Sequence, residues 1–415
     1  MNRTPSVAVK MLLTPILVGV ALMLIWYGIF SYRVGKGDVE NVLNHSSADW
    51  FPVVSLWRGN SAYFIDLDPA AAHQYYRRAI AADVVLIDAW LALARAEMSM
   101  DHSDRAGLVL ETLAPILART ATWKWQELLL AYDLKKEQVF QQAFNHILEN
   151  MPARRADAIY LALQQWSDYE AIAAHVDRVN WLVWLEVLIR LQQADPAFAV
   201  WRKIEQDGEL KLDDAVQLRF CNYLLGADRI DEARQVWRAR NGKDGPEVHN
   251  GGFETELTGA GFGWRLTRQA TGVTVKRTTT TSSEGAYSLH FRFDGKTNLD
   301  FHHLTQYVAV APGARHRLDF SRKARGITTD QGIFAQVTGR HCKGLDVRSP
   351  ALTGSEPWKT EQLEFTVPDQ CRVVLLQVRR RESLMFDNKI AGEYWLDDVR
   401  MSRTEPDPQP AGGPQ

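Results

Sequence analysis

The spacing of apolar residues changes once along the chain, near residue 250. Before Asn250 apolar residues recur every three or four positions, and after Leu266 they alternate with polar residues. The first spacing is typical of amphipathic helices and the second of half-buried β-strands. The sequence therefore predicts a helical part followed by a strand-rich part, that is, a multidomain α + all-β chain.

Three stretches of the helical part repeat one apolar spacing at intervals of 34 residues. Their positions are Ala72, Tyr76 and Ala79, then Ala106, Leu110 and Leu113, then Phe140, Phe144 and Ile147. Residues spaced in this way lie on one face of a helix, so each stretch predicts a helix with one buried face. A helix-turn-helix period of this length is the spacing of tetratricopeptide repeats.

The chain resembles the tetratricopeptide family most closely over 89–115. There Trp90, Leu91, Ala94, Ala106 and Pro115 fit the family's scheme. The family's usual Gly and Tyr are not clearly present, and two later similar segments, AFAVW and ARQVW, lie 36 residues apart. We therefore expect a degenerate α-helical repeat solenoid over 65–241. The resemblance implies a curved surface that holds a protein partner, and a helical spacer is the alternative.

Short alternating segments make up the strand-rich part. They cover 288–293, 317–321, 362–367, 374–378 and the closing 394–401. Such segments, separated by turn residues over ~155 residues, indicate an antiparallel β-sandwich. The Gly/Pro/Asp-rich Asn241–Asn250 marks its boundary. We interpret Asn250–Leu266 as its first strand and first turn.

Five pieces of this part are similar, in their order, to jelly-roll carbohydrate-binding modules of the family 4/9/22 type. They are NGGFE, GAYSLHFRF, LTQYVAVAPGARHRLDFSRKAR, WKTEQLEFTVP and YWLDDVRM, and the likeness covers 248–403. The resemblance implies a jelly-roll sandwich with a glycan ligand. The family also includes modules without a known sugar, so the fold alone does not give the function.

A structural Ca²⁺ often ties the first strand to the last in that family. Carried over by position, the resemblance implies Glu254 and Asp397 as its ligands, completed by backbone oxygens near Gly285–Ser288. Ca²⁺ takes several hard oxygen ligands, and a carboxylate at a core-side position needs a partner. The alternative is that both acids form hydrogen bonds or salt bridges with arginines.

Sugar rings stack on exposed aromatic side chains, so the aromatics of the strand-rich part are ligand candidates. The four candidates are Trp264, Tyr307, Trp358 and Trp395. Core packing is the alternative for each of them, since large aromatics usually fill cores. The basic runs Arg315–Arg325 and Arg379–Arg381 would attract an anionic polysaccharide. A solvated edge strand protected by its charge is the alternative for these runs.

The N-terminal segment Met11–Phe30 carries no charge for 20 residues, which is the length needed to cross a bilayer. We expect a cytoplasmic leader (1–10), a transmembrane helix (11–32) and a connector (33–64). The remainder would lie outside the cytoplasm, in a bacterial periplasm. A cleaved signal peptide is the alternative, although no small-x-small site follows the segment. The hydrophilic residues 404–415 predict a disordered tail.

A net charge of −2 argues against a general nucleic-acid binder. Three cysteines are too few for a disulfide scaffold, and Cys342 and Cys371 are either a disulfide outside the cytoplasm or two buried thiols. The sequence has no Gly-rich phosphate loop, G-x-S-x-G elbow or HExxH motif, so we expect no catalysis.

These observations together predict a non-catalytic scaffold or binding protein anchored in the inner membrane. It would serve a bacterial envelope or exopolysaccharide system, with the helices holding a protein partner and the sandwich binding glycan. No cofactor is expected apart from the structural Ca²⁺. The alternatives are a pure protein–protein scaffold and an accessory subunit of a glycan-active enzyme.

Overall fold

The computed structural model of the protein describes residues 7–43, 51–242, 247–267 and 271–404. The chain divides into two compact units, residues 1–184 and 185–415, and each is described by itself. The predicted leader lies largely outside the described residues, and the predicted tail lies outside them except for Thr404.

The first unit is helical throughout its described part. Its helices are α1 (Val7–Gly35), α2 (Val39–Leu43), α3 (Pro52–Phe64), α4 (Pro69–Ala82), α5 (Ile87–Ser99), α6 (Ser103–Leu117), α7 (Lys124–Asp133), α8 (Glu137–Asn150), α9 (Arg155–Trp166) and α10 (Tyr169–His175). Helix α11 (Trp181–Arg190) crosses the division between the units. The expected connector thus contains α2 and α3.

The 34-residue period is present in three helices of this unit. Helices α4, α6 and α8 begin at residues 69, 103 and 137, and all nine positions predicted to be internal are buried. Asp68 starts the first of them by accepting a hydrogen bond from the Ala71 amide (2.9 Å), with Pro69 at the first helical position. Strict recurrence ends before α10, so the tetratricopeptide assignment and the solenoid stay predictions.

Helix α1 has 29 residues, which at 1.5 Å per residue gives a length of ~43 Å. Of the residues in its segment Val18–Gly35, 6% are buried. The side chains of Leu22, Leu24 and Ile25 are 59–65% exposed. The helix is therefore long and apolar enough to cross a membrane, as a signal sequence also would be.

The described part of the second unit contains three more helices and the strands. The helices are α12 (Ala194–Asp207), α13 (Asp214–Gly226) and α14 (Ile230–Asn241). The strands are β1 (Arg265–Leu266), β2 (Val273–Thr278), β3 (Ser288–Asp294), β4 (Phe301–Ala309), β5 (Arg315–Ile327), β6 (Phe334–Gly339), β7 (Asp346–Arg348), β8 (Gly354–Thr366), β9 (Val373–Arg380) and β10 (Ala391–Thr404).

The strands form two antiparallel five-stranded sheets that share one hydrophobic core. Sheet A has the order β1-β4-β9-β6-β7, and sheet B has the order β2-β3-β10-β5-β8. The five alternating segments coincide with β3, β5, β8, β9 and β10, except that Val367 follows the end of β8, and this confirms the predicted sandwich. Strands β5 and β9 each have a neighbour on both sides, so the edge-strand interpretation of the basic runs is wrong.

The predicted opening strand at NGGFE is also wrong, because residues 247–264 form turns, bends and irregular segments rather than a strand. Asn250 and Phe253 have left-handed φ angles of 53° and 57°, which interrupt an extended conformation. Gly251 lies so close to the Val399 carbonyl that a Cβ atom there would overlap it. Phe253 nevertheless reaches the core, with 0% of its surface exposed.

Helices α13 and α14 pack against the turn that precedes β1. The amide of Gly261 donates to Asn222 Oδ1 (2.7 Å), and the Trp237 ring lies 6.1 Å from the Phe262 ring. Cys221 is buried beside this turn, and burial raises the pKa of its thiol to about 12. These two helices, which precede residue 250, are therefore in contact with the strand-rich part that follows it.

A disulfide joins Cys342, which follows β6, to Cys371, which precedes β9, with Cα atoms 5.4 Å apart. It links two neighbouring strands of sheet A at one end, and Cys371 lies in the core.

We expect Gly261→Ala to destabilise the protein more than Gly259→Ala. Both glycines have positive φ angles, 58° and 69°, so each substitution incurs a backbone cost of ~1–2 kcal/mol. Only at Gly261 would the new Cβ overlap the Trp237 ring, which adds ~1–3 kcal/mol. Thermal unfolding of the full-length variants measures the difference, and equal losses would contradict the packing of α14 on this turn.

Candidate functional site

Trp264 is not a sugar platform, because it lies in the core with 2% of its surface exposed. Its ring packs 5.5 Å from that of Phe253. The ligand role predicted for Trp264 is therefore wrong, and its alternative, core packing, holds.

Tyr307 lies on the outer face of sheet A but does not offer an open ring. The guanidinium groups of Arg265 and Arg340 lie over it, 4.5 and 4.8 Å from the ring centroid. Such cation–π contacts bring two positive charges to one aromatic side chain. The side chain is thus the centre of an Arg–Tyr–Arg stack rather than a bare stacking surface.

Trp358 and Trp395 come together on the outer face of sheet B. Trp395 is 5% exposed, since His290 stacks on it at 4.8 Å and Lys323 lies 5.4 Å from its centroid. Half-buried Trp358 donates from Nε1 to Thr281 Oγ1 (3.0 Å). Both rings are therefore already engaged by protein side chains.

Sheet B carries a basic row across four strands, formed by Lys276, His290, Trp395 and Lys323 in register. Burial lowers the pKa of His290, which favours the neutral imidazole. Neither lysine has a carboxylate within 4 Å in the described part of the chain. The aromatic centre of this face is covered.

A second row, on the outer face of sheet A, was not anticipated from the sequence. Cross-strand register aligns one polar side chain from each of the five strands: Arg265, Thr305, Gln377, Gln336 and Arg348. Four strand-to-strand steps of ~4.8 Å make the row ~19 Å long. The five residues of this row lie on different strands and are separated in sequence, so only the order in which the strands pair could have identified the row.

The side chains at the β7 end of this polar row have hydrogen-bond partners within the described part of the protein, and those at its centre do not. Gln336 donates to Asp346 (2.6 Å), and Arg348 donates to the same carboxylate (3.0 Å). By contrast, the side chains of Thr305 and Gln377 have no hydrogen-bond partner among the described residues. The middle of the polar row therefore keeps a hydroxyl and an amide available to a ligand.

The Arg–Tyr–Arg stack lies at the β1 end of the polar row and is bordered by α13. Arg265 donates to Asn222 Oδ1 (3.1 Å), and Arg340 donates to the Leu225 carbonyl (2.7 Å). Neither guanidinium has a carboxylate within 4 Å in the described ranges, and burial lowers the pKa of Arg265. One Nη1 atom of each is buried without a partner, so this end of the face is short of negative charge.

Glu254 and Asp397 hold one loop, as the carried-over calcium site predicts, but they do so directly. Glu254 Oε1 accepts from the amides of Ala286 (2.9 Å) and Tyr287 (3.0 Å). Asp397 Oδ2 accepts from those of Ser283 (2.7 Å) and Glu284 (3.1 Å). Burial raises the pKa of Asp397 even though these amide donors oppose the shift.

The predicted ligand set for Ca²⁺ does not fit this arrangement. The loop presents N–H donors to both carboxylates where the ion would need carbonyl oxygens. The two acids and the loop thus satisfy each other, which is close to the hydrogen-bonded alternative.

Chelation with EDTA should leave the melting temperature of the protein unchanged, because amides already pair with both carboxylates. In contrast, Asp397→Ala should cost ~1–3 kcal/mol, since it strands part-buried amides. Differential scanning calorimetry with and without EDTA and CaCl₂ measures both effects. A rise in melting temperature on adding Ca²⁺, abolished in Glu254→Gln, would restore the calcium site.

The other paired acids and histidines have structural partners. Asp213 caps α13 by accepting from Ala215 (2.9 Å), while Asp214 pairs with Arg240. His302 and His303 are adjacent at a β-bulge in β4, and their rings stack 4.5 Å apart. Neither pair forms a recognisable catalytic or metal-binding group.

Three solved structures that resemble this chain are carbohydrate-binding modules, which match its C-terminal part. A family 4 module matches at 16% identity and a TM-score of 0.29, covering 38% of this chain and 99% of its own. A family 61 module in complex with β-1,4-galactotriose matches at 19% and 0.29, covering 39% and 100%. A family 22 xylan-binding domain from Paenibacillus barcinonensis matches at 18% and 0.25, covering 37% and 90%.

No protein-family model and no curated protein sequence matches the chain. At these identities and TM-scores, the likenesses leave its function to be argued from its own side chains.

Proposed function

We propose that the protein is a membrane-anchored, non-catalytic glycan-binding protein whose ligand lies along the polar row of sheet A. The observation that carries the proposal is the pair of unpartnered side chains at the centre of that row, Thr305 and Gln377. Sugar hydroxyls both donate and accept hydrogen bonds, as do a threonine hydroxyl and a glutamine amide. A row ~19 Å long suits an extended oligosaccharide better than a single sugar.

The ligand we propose carries negative charge near the β1 end. Arg265 and Arg340 supply two guanidinium groups without carboxylate partners, and planar guanidinium groups favour carboxylate or phosphate oxygens. At the other end Arg348 is already paired with Asp346. An acidic polysaccharide, with its anionic group over the Arg–Tyr–Arg stack, therefore fits this face better than a neutral one.

The remaining parts of the proposal concern the cellular location of the ligand face and the protein partner. Helix α1 anchors the chain in the inner membrane, with its bulk outside the cytoplasm, in an envelope or exopolysaccharide system. The helical repeats expected over 65–241 hold a protein partner. The second candidate function, a pure protein–protein scaffold, is favoured by the covered state of Trp395 and Trp264.

Gln377→Ala should weaken binding to an acidic polysaccharide roughly two- to tenfold, because one lost hydrogen bond is worth ~0.5–1.5 kcal/mol. Thr305→Ala combined with it should weaken binding further. Affinity electrophoresis of the detergent-solubilised full-length protein, in gels with and without the polysaccharide, measures the change.

Gln362→Ala is the matched control for this experiment. Gln362 is an exposed glutamine on sheet B, opposite Asp319, and its loss should leave mobility unchanged. If wild-type protein shows no retardation by any acidic or neutral polysaccharide, the scaffold function replaces the glycan function. Equal loss in Gln362→Ala and Gln377→Ala would place the ligand elsewhere.

The anchor predicts that full-length protein stays in the membrane pellet after a wash with alkaline carbonate. Its N-terminal peptide, including residues 11–32, should be found by mass spectrometry in that pellet. A soluble protein that begins after residue 32 would instead identify α1 as a cleaved signal sequence.

A further inference from the structure

The loop between β9 and β10 exposes three consecutive apolar side chains, Leu384–Phe386, which we name the apolar tip. Leu384 and Phe386 are 100% and 105% exposed, and Met385 is 62% exposed. In the described part of residues 185–415, the other large apolar side chain with more than a third of its surface exposed is that of Leu191, at 39%. Contiguous exposed apolar residues of this kind mark a contact site rather than ordinary surface.

The base of the loop is held firmly, so the exposure of the tip is not a consequence of a loose segment. Arg380 is fully buried, and its guanidinium donates to the side-chain oxygen of Asn298 (3.1 Å) and to the carbonyls of Gln331 (3.3 Å) and Asn388 (3.1 Å).

Two further hydrogen bonds join the amide and carbonyl of Ser383 to Asn298, both at 2.9 Å. Beyond the tip, the amide of Ile390 donates to the Thr297 carbonyl (3.2 Å), which fixes the other side of the loop. A fixed base can insert apolar side chains without first ordering the backbone that carries them.

The charges beside the tip balance. Arg381 and Lys389 contribute +2, and Glu382 and Asp387 contribute −2, which sum to zero. All four side chains are exposed. A protruding apolar tip with neutral surroundings matches the interfacial region of a lipid bilayer, where apolar side chains enter and flanking charges stay in water.

We propose that the apolar tip inserts into the surface of the bilayer in which α1 is anchored. The inference rests on that anchor, which is part of the proposed function. A single shallow apolar contact binds membranes weakly by itself, but a tether raises its effective concentration at the surface. Helix α1 would supply the tether, and the tip would then fix how the sandwich meets the membrane.

A fluorescent probe at the tip tests this inference in the full-length protein. Asp387→Cys is labelled with nitrobenzoxadiazole and reconstituted into phosphatidylcholine vesicles, with or without acyl-brominated lipid. The native Cys221 is buried and the other two cysteines are bonded, so the label goes to the introduced thiol. Gln362→Cys, on an exposed position of β8, is the matched control.

We expect the tip probe to emit at shorter wavelength than the control and to be quenched by brominated lipid. Adding Leu384→Ser and Phe386→Ser should return both signals to those of the control, without changing glycan binding. Replacing part of the lipid with phosphatidylglycerol should make no difference, since the flanking charges sum to zero.

A tip probe that behaves like the control overturns the inference, as does quenching that persists in the double serine variant. Quenching that appears only with phosphatidylglycerol also overturns it, because charge would then drive the contact. Vesicle flotation separates the two proposals. A chain that fails to float contradicts the anchor and this inference together, whereas a floated chain with an unquenched probe contradicts this inference alone.

Discussion

The proposed ligand face depends on the register of the strands in sheet A. On β9, Val374, Leu376 and Val378 enter the core, which leaves Leu375 and Gln377 on the outer face. A shift of one residue would bury Gln377 and expose Val378, so the core fixes which side chains the ligand meets. The same register sets Gln377 beside Thr305 and Gln336, and none of these neighbours is close in sequence.

Three charged side chains of the sandwich hold loops through hydrogen bonds to the backbone. Arg380 satisfies carbonyl oxygens of the loops at one end of the sandwich, and Asp397 and Glu254 bind the amides of the loop before β3. Arg380 and Asp397 are fully buried, and their hydrogen bonds to backbone groups compensate for the loss of solvent around the charge. These loops are therefore fixed, while the outer face of sheet A and the apolar tip stay free to bind.

Alternation of apolar and polar residues was enough to predict the sandwich and five of its strands, because each such strand has one face in the core. The opening strand assigned to NGGFE did not rest on alternation and is wrong, since Asn250 and Phe253 have left-handed angles and Gly251 lies against Val399 of β10. The positions of Glu254 and Asp397 were predicted from the family resemblance. Their hydrogen-bond partners could not be predicted, because only the backbone conformation of the loop shows whether its N–H or its C=O groups face the two carboxylates.

The sequence alone also could not show which aromatic candidates are accessible to a ligand. Trp264 and Trp395 were plausible platforms by composition, but packing covers both, and Tyr307 became informative only through the two arginines above it. Cross-strand neighbours such as Thr305 and Gln377 carry no local motif. Their role depends on strand order, which a single sequence with weak family likeness does not supply.

The central claim is that ligand binds across the outer face of sheet A. A structure of the full-length protein with an acidic oligosaccharide, by crystallography or electron microscopy, tests it most directly. We predict sugar oxygens within hydrogen-bond distance of the Thr305 hydroxyl and the Gln377 amide, and an anionic group beside Arg265. A sugar seated on sheet B around Trp395, with the outer face of sheet A bare, would contradict it.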